Sequence, residues 1–352
     1  MSKTTILAKV FLSLAVFMPG IFSVSSAISA KEPVKVIFDT DIGNDIDDTL
    51  ALGMLHNFQN RGDIELVAVT ITKDNKYAAA FTKMVNTFYG HPDIPIGLVQ
   101  GSGIETKDGL YLKETLESVN DKNELMYPNY REFVNAEYPD ATSVLRQVLA
   151  ASEDHSIVIA QVGFSTNLAR LLDSPADDIS PLTGKELAQQ KVREVIAMAG
   201  AFTEDLKEHP EYNVAMDVPS AQKFFAEWPG PILVSGFEIG RDIFMTGLSA
   251  EEDYNYVPYH PVKIAYWFYG RGKERSTWDL TTVLYAARSD RNYFGFSEPG
   301  TVHVRDNGTT YFEPNLEGNT RIFTATPEQK ARIQEAFQWI CSEMQREPNK
   351  AK

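Results

Sequence analysis

The chain has 352 residues, 43% of them hydrophobic and 11% aromatic, enough apolar material for one large domain or two modest ones. Charged residues make up 23% and the formal net charge is −15 at pH 7, which excludes wholesale disorder and a general nucleic-acid binder, since the latter needs basic surface to replace counterions along phosphates. A neutral small molecule or a cation suits this balance.

The first thirty residues read as a signal peptide. Lys3 and Lys9 give a positive start, Val10 to Met18 form a short apolar core ended by Pro19-Gly20, and small residues follow with cleavage positions after Ala27 or Ala30. The apolar run is too short to span a bilayer comfortably. The expectation is an exported protein, periplasmic or secreted, with no stable membrane insertion after processing. The single cysteine, Cys341, excludes an intramolecular disulfide.

From Val34 onward, apolar β-branched runs alternate with helical patterns. Strands are predicted at residues 34–38, 64–72, 157–161, 192–197 and 232–235, with helices at 48–58, 78–89, 142–152, 167–173 and 220–228. The strands are continuously rather than alternately apolar, so the sheet is buried on both faces: an α/β fold with a mainly parallel central sheet flanked by helices. Asp306-Asn307-Gly308 marks a small C-terminal β-hairpin within 302–312, and Thr326-Pro327-Glu328-Gln329 opens a final helix with a capping box. With no internal repeat and no long linker, residues 31–347 read as one domain, followed by a polar tail at 348–352.

The first strand ends in Asp39-Thr40-Asp41-Ile42-Gly43-Asn44-Asp45-Ile46-Asp47-Asp48. Five aspartates in ten residues repel one another unless a cation joins them or some stay protonated. Hard cations such as calcium take carboxylate and carbonyl oxygens, and Gly43-Asn44 allows a tight backbone path. A helix-capping turn explains Asp47 or Asp48 but not the other three. An EF-hand starting at Asp39 fails at Gly43, Asn44 and Leu50. A phosphatase of the haloacid-dehalogenase type would use Asp39-Thr40-Asp41 and would not need Asp45, Asp47 and Asp48.

The strand–DTDIGNDIDDTLAL–helix segment resembles the N-terminal signature of the inosine-uridine-preferring nucleoside hydrolase family, with Ile42 in place of a proline and two extra residues before Asp47-Asp48. Further blocks are similar to the family in order: Val69 to Asn75, Gln161 to Ala169, Met198 to Ala201, Glu211 to Asn213 with Asp217 to Ala221, and Ser276 to Val283. Gly163-Phe164-Ser165 is not a serine nucleophile elbow, because Asn167 replaces the closing glycine; Ser165 and Thr166 read as helix caps.

The resemblance implies hydrolysis of the N-glycosidic bond of ribonucleosides, as in purine and pyrimidine salvage, with Ca²⁺ held by Asp41, Asp48, Asp279 and the Val162 carbonyl. Asp39 and Asp45 would support the metal site. Either Asp45 or Asp47 could fill the base position; Asp47 is favoured because it keeps the family's register with the helix. Asn75, Glu211 and Asn213 would grip the sugar, the last two from one side of an extended segment. Many members carry a histidine before the last metal carboxylate to protonate the leaving base. Trp278 stands there instead, as a wall or stacking surface for the base, and His260 is the substitute acid to consider. The partner is a small nucleoside, with a homo-oligomer left open. The alternative is a non-catalytic, calcium-dependent binder of nucleosides or ribose.

Overall fold

The computed structural model of the protein describes residues 32–101, 104 and 111–344, besides Met1. The expected signal segment and polar tail lie outside the described residues. Among those described, no helix is long and apolar enough to cross a membrane.

Six strands run parallel: β1 (Val34–Thr40), β2 (Ile64–Ile71), β3 (Ile96–Leu98), β4 (Ile157–Gln161), β5 (Val192–Met198) and β6 (Ile232–Ser235). A short antiparallel pair, β7 (Phe244–Met245) with β8 (Arg275–Ser276), stands apart. Four more strands extend the main sheet: β9 (Gly295–Phe296), β10 (Gly300–Val304), β11 (Thr310–Pro314) and β12 (Thr320–Thr324). The order is β11-β10-β12-β6-β5-β4-β1-β2-β3, with β9 on β12. The expected hairpin is β10–β11, with Val304 opposite Thr310, and the final helix Pro327–Cys341 carries its capping box from Thr326 and Gln329. β12 returns parallel beside β6, so the sheet continues past the parallel core before reversing.

The sheet separates two apolar cores. Val36 and Phe38 of β1 pack with Leu50, Met54, Leu280 and Val283 from the helices Asp47–Arg61 and Asp279–Arg288. Ile37 points the other way, into a core with Leu145, Leu168 and Phe224. Successive side chains of a strand alternate faces, which is why neighbouring residues of β1 serve different cores.

Strand order places the site. From β1 the chain adds β2 and β3 on one side, then crosses to add β4, β5 and β6 on the other. The β1–β4 boundary is therefore a switch point, where a crevice opens beyond the carboxyl ends of the strands. The acidic run leaves β1 here, and Val162-Gly163 leaves β4. Val162 and Gly163 donate their backbone N–H to the Asp39 carbonyl at 2.7 and 3.2 Å.

Candidate active site

The acidic run reaches the cavity through two glycines with different tasks. Gly43 has φ +116°, a conformation that side-chain-bearing residues rarely adopt. Gly163 is held by space: an added Cβ would lie 2.4 Å from Thr72 Oγ1 and 2.6 Å from the Asp41 backbone nitrogen. Two strand ends can approach this closely only if one has no side chain.

Asp47 and Asp48 occupy the first turn of Asp47–Arg61, and Asp279 opens Asp279–Arg288. The two helix N-termini meet, and their dipoles favour carboxylates there. Carboxylate oxygens of Asp47, Asp48 and Asp279, all buried, lie within 4.8 Å of one another. Asp47 Oδ2 accepts the N–H of Trp278 at 2.9 Å and of Asp279 at 3.2 Å. The first helix thus caps the second. Thr40 Oγ1 donates to Asp48 Oδ1.

The cavity, about 340 Å³, is lined on its polar side by Asp41, Asn44, Asp45, Asp47, Asp48, Asp279 and Asn213, with Val162, just past the end of β4, beside them. Tyr212, Phe237, Tyr269, Trp278 and Met198 supply an apolar wall, and Arg275 completes it. The Trp278 ring stacks on Phe237 at 5.3 Å, and its Nε1 donates to the Phe237 carbonyl at 2.9 Å, fixing the indole.

Burial, foremost, raises the carboxyls of Asp41, Asp47, Asp48 and Asp279. Asp47 is pushed up to about 8, helped by the Asp45 charge. Asp41 reaches about 6 against the pull of Asn44 and Lys73. Asp48 and Asp279 lie well above the ordinary range, raised further by their neighbouring aspartates. Ionising all four together needs a positive charge among them. The donors are all oxygen, from carboxylates and a backbone carbonyl, so the residues fit a hard divalent cation.

The remaining expected residues divide. Asp39 does not line the cavity; its Oδ1 accepts Thr70 Oγ1 at 2.6 Å and Asn167 Nδ2 at 2.8 Å, and burial raises it to about 7. Asp45 lines the cavity and is clamped by Arg275, whose Nε lies 3.1 and 2.9 Å from its two oxygens while Nη2 also donates to Oδ2. Asn213 lines the cavity and donates Nδ2 to the Val162 carbonyl at 2.8 Å and the Met198 carbonyl at 3.1 Å. Val162 retains a second lone pair for another partner.

Four local expectations meet a different arrangement. Residues 212–216 form a short helix, not an extended segment. Glu211 is its N-cap, stands outside the cavity lining, and accepts the N–H of Gly200, Asn213 and Val214. Asn75 also stands outside the lining and caps Lys76–Phe88, accepting from Tyr77 N at 2.8 Å. Ser165 sits at a cap position without a side-chain cap bond, while Thr166 Oγ1 donates to Asp217. His260 is fully buried among Phe88, Tyr89, Tyr254 and Tyr256, away from the cavity, and burial lowers its pKa to about 3.

Sequence reasoning missed Arg275, Tyr269, Phe237 and Tyr212 on the wall, and Lys73, whose buried Nζ donates to Asn44 Oδ1 at 2.6 Å beside Asp41. Lys73 had a signal: a lysine directly after an apolar strand, next to the acidic run. Tyr269, Phe237 and Tyr212 had none, because such residues also fill cores.

Fold and site together define an α/β enzyme whose switch-point cavity carries a metal-binding carboxylate cluster. The family model for inosine-uridine preferring nucleoside hydrolases matches residues 36–336. The chain belongs to that family, which hydrolyses N-glycosyl bonds with the help of a metal. No curated protein matches it. Among solved structures, the purine-preferring ribonucleoside hydrolase from Gardnerella vaginalis superposes with TM-score 0.67 at 16% identity, covering 88% of this chain and 98% of that one. The plant nucleoside hydrolase PpNRh1 gives 0.64 at 21%, covering 88% and 99%. The inosine-uridine preferring nucleoside hydrolase from Bacillus anthracis gives 0.63 at 15%, covering 88% and 99%. At these identities the likeness is one of fold.

Proposed function

We propose that the protein, as an exported single-domain enzyme, hydrolyses ribonucleosides to ribose and free base with Ca²⁺ as its metal. The observation that carries this reading is the convergence of Asp47, Asp48 and Asp279 in one cavity with an aromatic wall. Asp41, Asp48, Asp279 and the Val162 carbonyl would hold the cation; Asp47, inside the same trio, is close enough to share it. Bound there, the cation would orient and acidify a water and accept ribose hydroxyls.

The chain's own residues do the rest. Asp47 takes a proton from the attacking water through Oδ1, since Oδ2 is occupied by two N–H groups. The carboxylates stabilise the positive charge that develops on the sugar ring as the C–N bond lengthens. Asn213 faces the sugar, and Asp45 supports the site through Arg275. Asn75 and Glu211 act on the sugar only through the segments they cap. The aromatic wall takes the base and excludes water from its face.

Purified protein incubated with inosine and uridine, assayed for reducing sugar, tests this directly. Asp47→Ala leaves the N–H groups of Trp278 and Asp279 unmet and should lower stability, so the variant is first checked for a cooperative melt. Once folded it is expected to release no base, and equal rates for variant and parent would sink the assignment. Chelation should abolish turnover and calcium restore it, whereas recovery with magnesium alone refutes the choice of metal. Nucleoside binding without sugar release would instead support the non-catalytic binder, the reading that Trp278 in the acid's place favours.

A further inference from the structure

Breaking an N-glycosidic bond leaves its electron pair on the base nitrogen, from which it spreads to a carbonyl oxygen of the ring. That charge must be met by a proton or a cation. Trp278 has no acidic proton to give, and His260 lies elsewhere. Burial pushes the Tyr269 phenol up, making it a poor acid. Among the described residues that line the cavity, Arg275 is the only lysine, arginine or histidine.

Arg275 is also held in a defined plane. Asp45 takes its Nε and Nη2, the Trp278 ring centroid lies 5.2 Å from the guanidinium carbon, and the Tyr269 centroid 5.7 Å. A guanidinium offers five N–H donors in a planar fork. Asp45 occupies one edge of that fork. Nη1, on the other edge, makes no hydrogen bond with any described residue, and the side chain is 38% exposed. Asp45 itself comes from the stretch that carries two extra residues before Asp47-Asp48, so clamp and clamped arginine form one device.

We propose that Arg275 is the group that receives the departing base, an inference that rests on the hydrolase reading. Its Nη1 edge donates to a carbonyl oxygen of the base and stabilises the negative charge arriving there. Water adds to the anomeric carbon and loses a proton to Asp47, and the C–N bond breaks with its electron pair going to the base. The base then takes a proton from solvent. Arg275 stays protonated throughout, so its contribution is electrostatic and positional rather than that of a general acid.

The test compares kcat/KM for inosine and uridine with that for 4-nitrophenyl β-D-ribofuranoside, whose leaving group is a stable anion without help. Arg275→Gln is expected to lower the nucleoside values by about 100-fold, the usual effect of removing one donor to developing negative charge, and the nitrophenyl riboside value far less. Arg275→Lys, a compact charge without the fork, should recover only part of the loss. A parallel fall on all three substrates, or no fall, overturns the proposal while leaving the hydrolase reading intact. A parent protein inactive on all three overturns both. If Arg275→Gln lacks a cooperative melt, Asp45→Asn, which releases the clamp, must show the same selective loss; a parallel loss there also overturns the proposal.

Discussion

Glu211 shows how a residue can matter to a site without lining it. Its two oxygens satisfy three buried backbone N–H groups, on Gly200, Asn213 and Val214. Asn213 in turn reaches the carbonyl of Val162, a residue that lines the same cavity as the carboxylate trio. Glu211→Ala would leave those donors unmet, at about 1–3 kcal/mol for each fully buried group. Urea denaturation should therefore show a loss of about 3 kcal/mol or more, and Glu211→Gln, which keeps an acceptor oxygen, a smaller one. A loss under ~0.5 kcal/mol for the alanine variant would show that the cap is dispensable. Such chains of dependence are hard to read from sequence. Glu211 and Asn213 are visible there as an alternating polar pair, and alternation suggests a strand; only the backbone donors of Gly200 and Val214 reveal a cap. Asn75 was ambiguous for the same reason, since a polar residue ahead of a helix serves a ligand or the helix equally well.

At the scale of elements, the approach of β1 to β4 is the narrow point. Gly163→Ala would drive a Cβ into Thr72 Oγ1 and the Asp41 backbone, and backbone cannot rotate aside as a side chain can. The cost should be about 1–3 kcal/mol, with nucleoside turnover lost more severely than stability because Asp41 and Val162 move apart. Unchanged turnover with an unchanged melting temperature would show that the strand ends have slack. The elements themselves were largely legible: the expected helix at 48–58 is Asp47–Arg61, and the hairpin and capped final helix stand where turn chemistry placed them. β12 was not legible. Its five residues carry no periodic signal, and its place beside β6 is decided by sheet packing.

For the whole molecule, the carboxylate cluster and the histidines respond to acid in opposite senses. His56 and His260 are buried, and burial lowers both to about 3 from an unfolded value near 6.5. A histidine depressed in the folded state contributes stability above its unfolded pKa and loses it as pH falls toward the folded one. Between about pH 6.5 and 3 each should therefore remove up to about 1.4 kcal/mol per pH unit. The aspartates, raised when folded, run the other way, so the parent curve is a sum of both. His260→Phe isolates one proton: its denaturation free energy should fall less steeply than the parent's between pH 7 and 5, and identical slopes would contradict a neutral buried imidazole. The acidic run itself was legible, because five aspartates in ten residues need an explanation. Arg275 was not, since it meets Asp45 only across a separation of 230 residues.

That separation has a consequence for how the protein is made. A ribosome delivers Asp39 to Asp48 long before Arg275 and Asp279 exist, so the growing chain carries its charge cluster half-built for most of its synthesis. Strands β1 to β5 can align in that interval, but the helix that Asp47 caps cannot yet dock. The carboxylate trio is therefore complete only when the final third of the polypeptide has joined the first helix.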